Sequence, residues 1–114
     1  MDEQVVGPEL VLSTDRTGDR AVVTVQGELD AYTAPGLEDH IGGLLGEHVS
    51  ELVLDLAQTG FLDSSGLRAL LTVHRRLEAS DGRLELREPS EPVLRLLEIT
   101  GLREHFGIPG GGDR

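Results

Sequence analysis

Two serines and a carboxylate stand together at Asp63-Ser64-Ser65-Gly66, the stretch of this chain whose residue types come nearest to chemistry. A hydroxyl beside a carboxylate raises the question of nucleophilic catalysis. The flanking residues are not a G-x-S-x-G elbow, and Asp63 next to the serine opposes an oxyanion. His40, His48, His74 and His105 have no spacing that marks a general base. His74 falls on the apolar stripe of its own predicted helix, where a packed histidine is expected. No H-E-x-x-H or clustered carboxylate–histidine spacing marks a metal site, and neither a Walker sequence nor G-x-G-x-x-G marks a nucleotide site. Asp63 would also repel a phosphate that a helix N-terminus otherwise attracts. The expectation is a protein without catalysis, metal or cofactor.

The elements around the turn say how it is presented. Leu52, Leu54 and Leu56 alternate with Val53 and Asp55 before it, which predicts a strand. After it, Leu67, Leu70, Leu71 and Leu77 recur at helical spacing, with Arg68, Thr72, Arg75 and Arg76 off the stripe. Asp63 or Ser64 therefore caps a helix through a side-chain oxygen, and Gly66 admits a close backbone neighbour. Two hydroxyls are thus set at a helix start, beyond a strand end. The same four residues also make an ordinary helix cap, and Asp30 by itself reads as a solvated loop carboxylate.

Composition bounds the partners. At 114 residues with 38% hydrophobic content the chain is long enough for one core, and with 3% aromatics that core is aliphatic. The formal net charge of −11 argues against a nucleic-acid backbone and against anionic membranes, and it suits a protein partner with basic residues as well as simple solubility. No cysteine is present, so disulfides and thiolate metal sites are excluded. No basic-then-apolar leader opens the chain, and no apolar run of about 18 residues is long enough to span a bilayer. A soluble, cytoplasmic protein is expected.

Taken in order, residues 1–9 are acidic and carry Gly7-Pro8, which reads as a flexible lead-in. Leu10 to Ser13 and the β-branched Ala21-Val22-Val23-Thr24-Val25-Gln26 suggest a hairpin across a turn holding Asp15, Gly18 and Asp19. Thr33 is a helix cap with Pro35 in the first turn, ahead of the stripe Leu37, Ile41, Leu44 and Leu45. Asp81-Gly82 ends the second helix, and Leu84 and Leu86 mark a short strand. Ser90 caps a last helix with Pro92 in its first turn, and Gly101 stops it. Leu102, Phe106 and Ile108 are expected to dock on the core, and residues 109–114 read as a disordered tail. The order β-β-α-β-α-β-α predicts an α/β domain with a mixed, mainly parallel sheet. Sites in such sheets lie beyond strand ends, which points to the loops after Gln26 and Leu56.

Phe61-Leu62-Asp63-Ser64-Ser65-Gly66-Leu67 resembles the signature of bacterial anti-sigma factor antagonists, members of the STAS domain family. Three more stretches resemble that family in the right order. They are Gln26-Gly27-Glu28-Leu29-Asp30 with Thr33-Ala34, then Val53-Leu54-Asp55-Leu56, then Pro92-Val93-Leu94-Arg95-Leu96-Leu97 with Thr100-Gly101-Leu102. The likeness covers residues 10–108 and implies a single STAS-like domain, with a mixed sheet of four to five strands and about four helices.

The resemblance also implies a function. Family antagonists bind an anti-sigma factor that is also a serine kinase, and so free a sigma factor for transcription. The kinase phosphorylates the serine after the Asp, here Ser64, and the complex separates until a serine phosphatase resets it. On this reading the chain is a substrate and not an enzyme. Asp30, Tyr32, Asp63, Ser65, Gly66 and Arg68 are the expected partner-binding residues around Ser64. Arg68 stands where family members often have a smaller residue, which implies a partner surface particular to this chain. The alternative is a STAS-type scaffold or stress-signalling module that does not act on a sigma factor.

Overall fold

The alternation of strands and helices read from the sequence is present in a computed structural model, which describes residues 2–7 and 9–108. Six strands and three helices occur among the described residues. They follow in the order β1 (Asp2–Val5), β2 (Leu10–Thr17), β3 (Arg20–Leu29), α1 (Ala34–Gly46), β4 (Glu51–Asp55), β5 (Thr59–Leu62), α2 (Ser64–Ala79), β6 (Arg83–Arg87) and α3 (Glu91–Thr100). One sheet runs β1-β2-β3-β4-β6, and β5 joins it by pairing with β3. The β1/β2 and β2/β3 pairs are antiparallel, whereas β3/β4, β3/β5 and β4/β6 are parallel.

Strand β3 organises this sheet. Its first half, Arg20 to Thr24, pairs with β4, and its second half, Gly27 to Leu29, pairs with β5. Within the second half the register against β5 shifts at a bulge between Gly27 and Glu28. Gly27 sits at φ +119, and a Cβ there would stand 2.0 Å from the Glu9 carbonyl oxygen, so only glycine fits the bulge.

Alternation along the strands divides two faces. Leu10, Leu12, Val23, Val25, Leu52 and Leu54 enter one core with Leu37 and Ile41 of α1, Leu70, Val73 and Leu77 of α2, and Val93 and Leu97 of α3. The opposite face carries rows in register across β3, β4 and β6: Arg20–Glu51–Arg83, Val22–Val53–Glu85 and Thr24–Asp55–Arg87. Val53 is buried on this face, outside the core cluster, beside a shallow cavity of about 130 Å³ lined by Arg20, Glu51, Arg83 and Glu85. On the core side, Gly42 leaves room for the Arg76 guanidinium, the nearest neighbour a Cβ at that position would meet.

Several expectations need correction. The sheet has six strands where four or five were expected, because Asp2–Val5 and Thr59–Leu62 both pair. Asp2–Val5 lies in the segment read as a flexible lead-in. All four of its residues are exposed, so no alternation marks it, and its ladder to β2 is made by backbone groups. Three helices occur among the described residues where about four were expected. After Gly101 the chain makes turns, with Phe106 N–H donating to the Leu102 carbonyl and Ile108 N–H to that of Arg103. Phe106 and Ile108 are buried as expected, with Leu102 packed beside the core. Thr33 and Ser90 precede helices as foreseen, but neither hydroxyl caps. Thr33 Oγ1 donates to the Glu28 carbonyl, and Ser90 Oγ to that of Thr59. The tail expected at residues 109–114 lies outside the described residues. No helix of the described residues is long and apolar enough to cross a membrane.

His40 of α1 reaches the sheet through a 2.7 Å hydrogen bond between its Nε2 and Thr14 Oγ1. Burial lowers its pKa from 6.5, with Asp2 opposing the shift. Below 6.5 the unfolded chain therefore binds more protons at this residue than the folded chain does, and stability falls as the pH drops. Urea midpoints measured at about pH 7.5 and about pH 5.5 should show a smaller acid loss in His40→Gln than in the parent chain. An equal loss in both chains would remove His40 from the account.

A second close approach sets the start of α2. A Cβ on Gly66 would stand 2.5 Å from the Leu29 carbonyl oxygen and 2.5 Å from Leu62 Cδ1. Gly66→Ala should destabilise the fold by about 1–3 kcal/mol, as overpacking against backbone does. Denaturant unfolding reads this directly, and an unchanged midpoint would mean that the turn yields.

Candidate functional site

The C-terminal ends of β3 and β5 lie side by side, with Leu29 paired to Leu62. The loop that begins at Asp30 and the turn that begins at Asp63 therefore leave the sheet as neighbours. Asp63 N–H donates to the Leu29 carbonyl at 3.3 Å, a direct tie between the two.

Of the two capping candidates, Asp63 is the cap. Its Oδ1 accepts from Ser65 N–H at 2.9 Å and from Gly66 N–H at 3.0 Å. Its carbonyl accepts from Leu67 N–H at 2.9 Å and so begins the helical ladder. Ser64 is the first residue of α2 and is exposed, Ser65 is half-buried, and Gly66 is buried. Arg68, also exposed, lies four residues on, over the same helix face as Ser64.

Asp30 plays a similar part in its own loop and is not the solvated carboxylate that its sequence context suggested. Its Oδ1 accepts from Tyr32 N–H at 2.9 Å and from Thr33 N–H at 3.1 Å. Its carbonyl accepts from Ala34 N–H at 2.8 Å, and its own N–H donates to Thr33 Oγ1 at 2.9 Å. Tyr32 is thrown outward by this turn and is 91% exposed. With Val6, Gly7, Glu9 and Thr33 it lines an open cavity of about 290 Å³.

Glu9 and Glu28 were not anticipated as site residues. Glu28 N–H donates to the Glu9 carbonyl at 2.7 Å, a backbone contact that no local pattern signals. Carboxylate oxygens of Glu9, Glu28 and Asp30 all lie within 4.8 Å of one another. The Glu9 charge, then burial, then Asp30 raise the pKa of the Glu28 carboxyl above 4.5. Among the described residues this is the one cluster with the spacing of metal ligands. Two of its members are exposed, and Asp30 Oδ1 is already engaged by backbone N–H groups.

The histidines stand apart from the serines. His74 begins its contacts about 15 Å along α2 from Ser64, at 1.5 Å rise per residue. Its ring packs edge-on against those of His105 and Phe106, with centroids 4.7 and 5.6 Å away. His40 is bonded to Thr14, and His48 is exposed beyond the end of α1. No side-chain hydrogen bond among the described residues joins a histidine to Ser64 or Ser65. The arrangement presents an exposed hydroxyl on a turn fixed by backbone hydrogen bonds.

Known proteins share this architecture. The family profile described as STAS domain matches residues 12–109. The anti-sigma-B factor antagonist of Staphylococcus epidermidis is 35% identical over 91 residues, which is 80% of this chain and 84% of that protein. An anti-sigma factor antagonist from Mycobacterium paratuberculosis, 31% identical, superposes with a TM-score of 0.72 over 96% of this chain and 94% of its own. The anti-sigma factor antagonist SpoIIAA, in its unphosphorylated form, shares the fold with a TM-score of 0.74 over 90% of each chain at 24% identity. A profile match across nearly the whole sequence, a relative of this identity and the common fold agree: the chain belongs to the STAS domain family.

Proposed function

We propose that this protein is an anti-sigma factor antagonist that works as a partner switch. In the unmodified state it binds an anti-sigma factor that is also a serine kinase, and a sigma factor is thereby freed. The kinase transfers the γ-phosphoryl group of ATP to Ser64 Oγ, the hydroxyl proton leaves, and ADP is the other product. The modified chain then separates from its partner, and a serine phosphatase restores the hydroxyl. Asp30, Tyr32, Asp63, Ser65, Gly66 and Arg68 form or shape the surface that the partner covers.

One observation carries this reading. Ser64 is exposed at the start of a capped helix whose first turn is tied to the Asp30 loop. An exposed hydroxyl on a fixed turn suits a kinase cleft. Phosphate adds about −1.5 to −2 charges at that point. Inside an interface such a charge must be paired or desolvated, and several kcal/mol of binding are lost if it is not. The names of the relatives support the partner class.

The test incubates the chain with its cognate anti-sigma kinase and ATP and maps the modified residue by mass spectrometry. Phosphate is expected on Ser64. Phosphate on Ser65 alone would move the site by one residue, and none on either with binding intact would favour a scaffold. Ser64→Ala should bind the kinase and resist release, while Ser64→Asp should bind at least about tenfold more weakly, which is ~1.4 kcal/mol.

Asp30→Ala separates the surface from the fold. It removes the acceptor of two backbone N–H groups and should cost about 1 kcal/mol of stability while leaving the domain folded. Partner affinity, measured by calorimetry, should fall further than that stability loss explains. Unchanged affinity would place the contact elsewhere.

A further inference from the structure

We infer that the outward face of α2, along Arg68, Thr72 and Arg75, docks an acidic segment of the protein partner. This rests on the partner-switch reading and names the chemistry that the partner brings to the surface. The chain has 21 Asp and Glu residues against 10 arginines and no lysine, a balance that by itself favours a basic partner. Helix α2 departs from that balance. Arg68, Arg75 and Arg76 are exposed on it, and Glu78 is its only carboxylate. Four arginines elsewhere have carboxylate partners: Arg16 pairs with Glu47, Arg87 with Glu85, Arg95 with Glu91 and Arg103 with Glu98. Among the described residues no ion pair includes Arg68, Arg75 or Arg76. Glu78 is drawn aside to His74, its Oε1 lying 3.7 Å from Nδ1.

Residues four and three apart share a helix face, so Arg68, Thr72 and Arg75 form one stripe. Arg75 Nη2 donates to Thr72 Oγ1 at 3.4 Å within it. Leu71 lies on the same face, half-buried, and adds apolar surface between the two charges. The Arg76 guanidinium lies over Gly42 of α1, to one side of the stripe. Arg68 and Arg75 are seven residues apart, which sets them about 10 Å from each other along the axis. A segment with two carboxylates at that separation meets both. Residues seven apart on a helix have it, and so do residues three apart in an extended strand. Nucleic acid would meet the same two charges, but the carboxylate excess of the rest of the chain repels a phosphate backbone. A stripe of this kind steers the encounter and fixes its register.

The experiment exploits the missing lysine. Arg75→Lys keeps the charge and supplies the one side-chain amine in the chain. A carbodiimide joins an amine to a carboxylate as an amide, with loss of water and no spacer, so it reports direct contact. The full-length variant is treated with carbodiimide in the presence of the cognate anti-sigma kinase, and the linked peptides are identified by mass spectrometry. An amide between position 75 and an Asp or Glu of the kinase is expected. In calorimetry at low salt, the double variant Arg68→Gln with Arg75→Gln should bind the kinase about tenfold more weakly, and the difference should shrink as salt is added. Its thermal midpoint should match that of the parent, since both positions are exposed. Parent affinity in the double variant would overturn the inference. So would a complex that forms while position 75 links only to carboxylates of its own chain. A DNA duplex that binds the parent as tightly as the kinase does, and less tightly in the double variant, would overturn it in favour of a nucleic-acid surface. A parent chain that does not bind the kinase at all fails the partner-switch reading itself, and the inference falls with it.

Discussion

The Leu29 carbonyl oxygen is the point on which the site depends. It accepts the N–H of Asp63, and it lies against the Cα of Gly66 with no room for a side chain between. One backbone atom at the end of β3 thus fixes the start of α2. Asp30 is the next residue along from Leu29, so its loop is positioned by the same strand end. The Ser64 turn and the Asp30 loop are therefore held in their relation by backbone at one strand end. The switch of β3 from β4 to β5, between Thr24 and Gly27, completes the arrangement, since it brings the end of β5 beside Leu29.

Two capping carboxylates do parallel work on this frame. Asp30 and Asp63 each turn an oxygen inward to two backbone N–H groups, and each leaves an exposed neighbour, Tyr32 or Ser64, pointing outward. Buried or half-buried residues hold the backbone, and exposed ones are left to meet other molecules. Negative charge at this end of the sheet is concentrated by Glu9 and Glu28 as well, and the nearness of the Glu9 charge raises the pKa of the Glu28 carboxyl.

Elements with a strong apolar period were legible in the sequence. The stripe through Leu67, Leu70 and Leu77 is buried in α2, Val23 and Val25 are buried in β3, and Leu52 and Leu54 are buried in β4. Elements held by backbone bonds were not. Asp2–Val5 is polar and exposed throughout, and Thr59–Leu62 alternates poorly, with Gly60 and Phe61 both exposed. Hydroxyl residues misled for a related reason: Thr33 and Ser90 stand where caps belong, yet β3 and β5 offer their oxygens better partners in the carbonyls of Glu28 and Thr59. At the site, the exposed Ser64 and its Asp63 cap follow from local spacing. The double role of Asp30 and the approach of Glu9 depend on contacts between segments distant in sequence, which periodicity does not encode.

The sheet face away from the helices has a consequence for the molecule in bulk. Its rows across β3, β4 and β6 interleave arginine with glutamate and aspartate, and the apolar Val53 beneath them is hidden. The strand at that end of the sheet, β6, carries Arg83, Glu85 and Arg87. A bare sheet of aliphatic residues would stack on its like, and an uncharged edge would recruit further strands. Here either kind of self-association would force charged side chains together or strip them of water. A formal charge of −11 adds repulsion between copies at longer range, so this face and this edge both oppose stacking on their like.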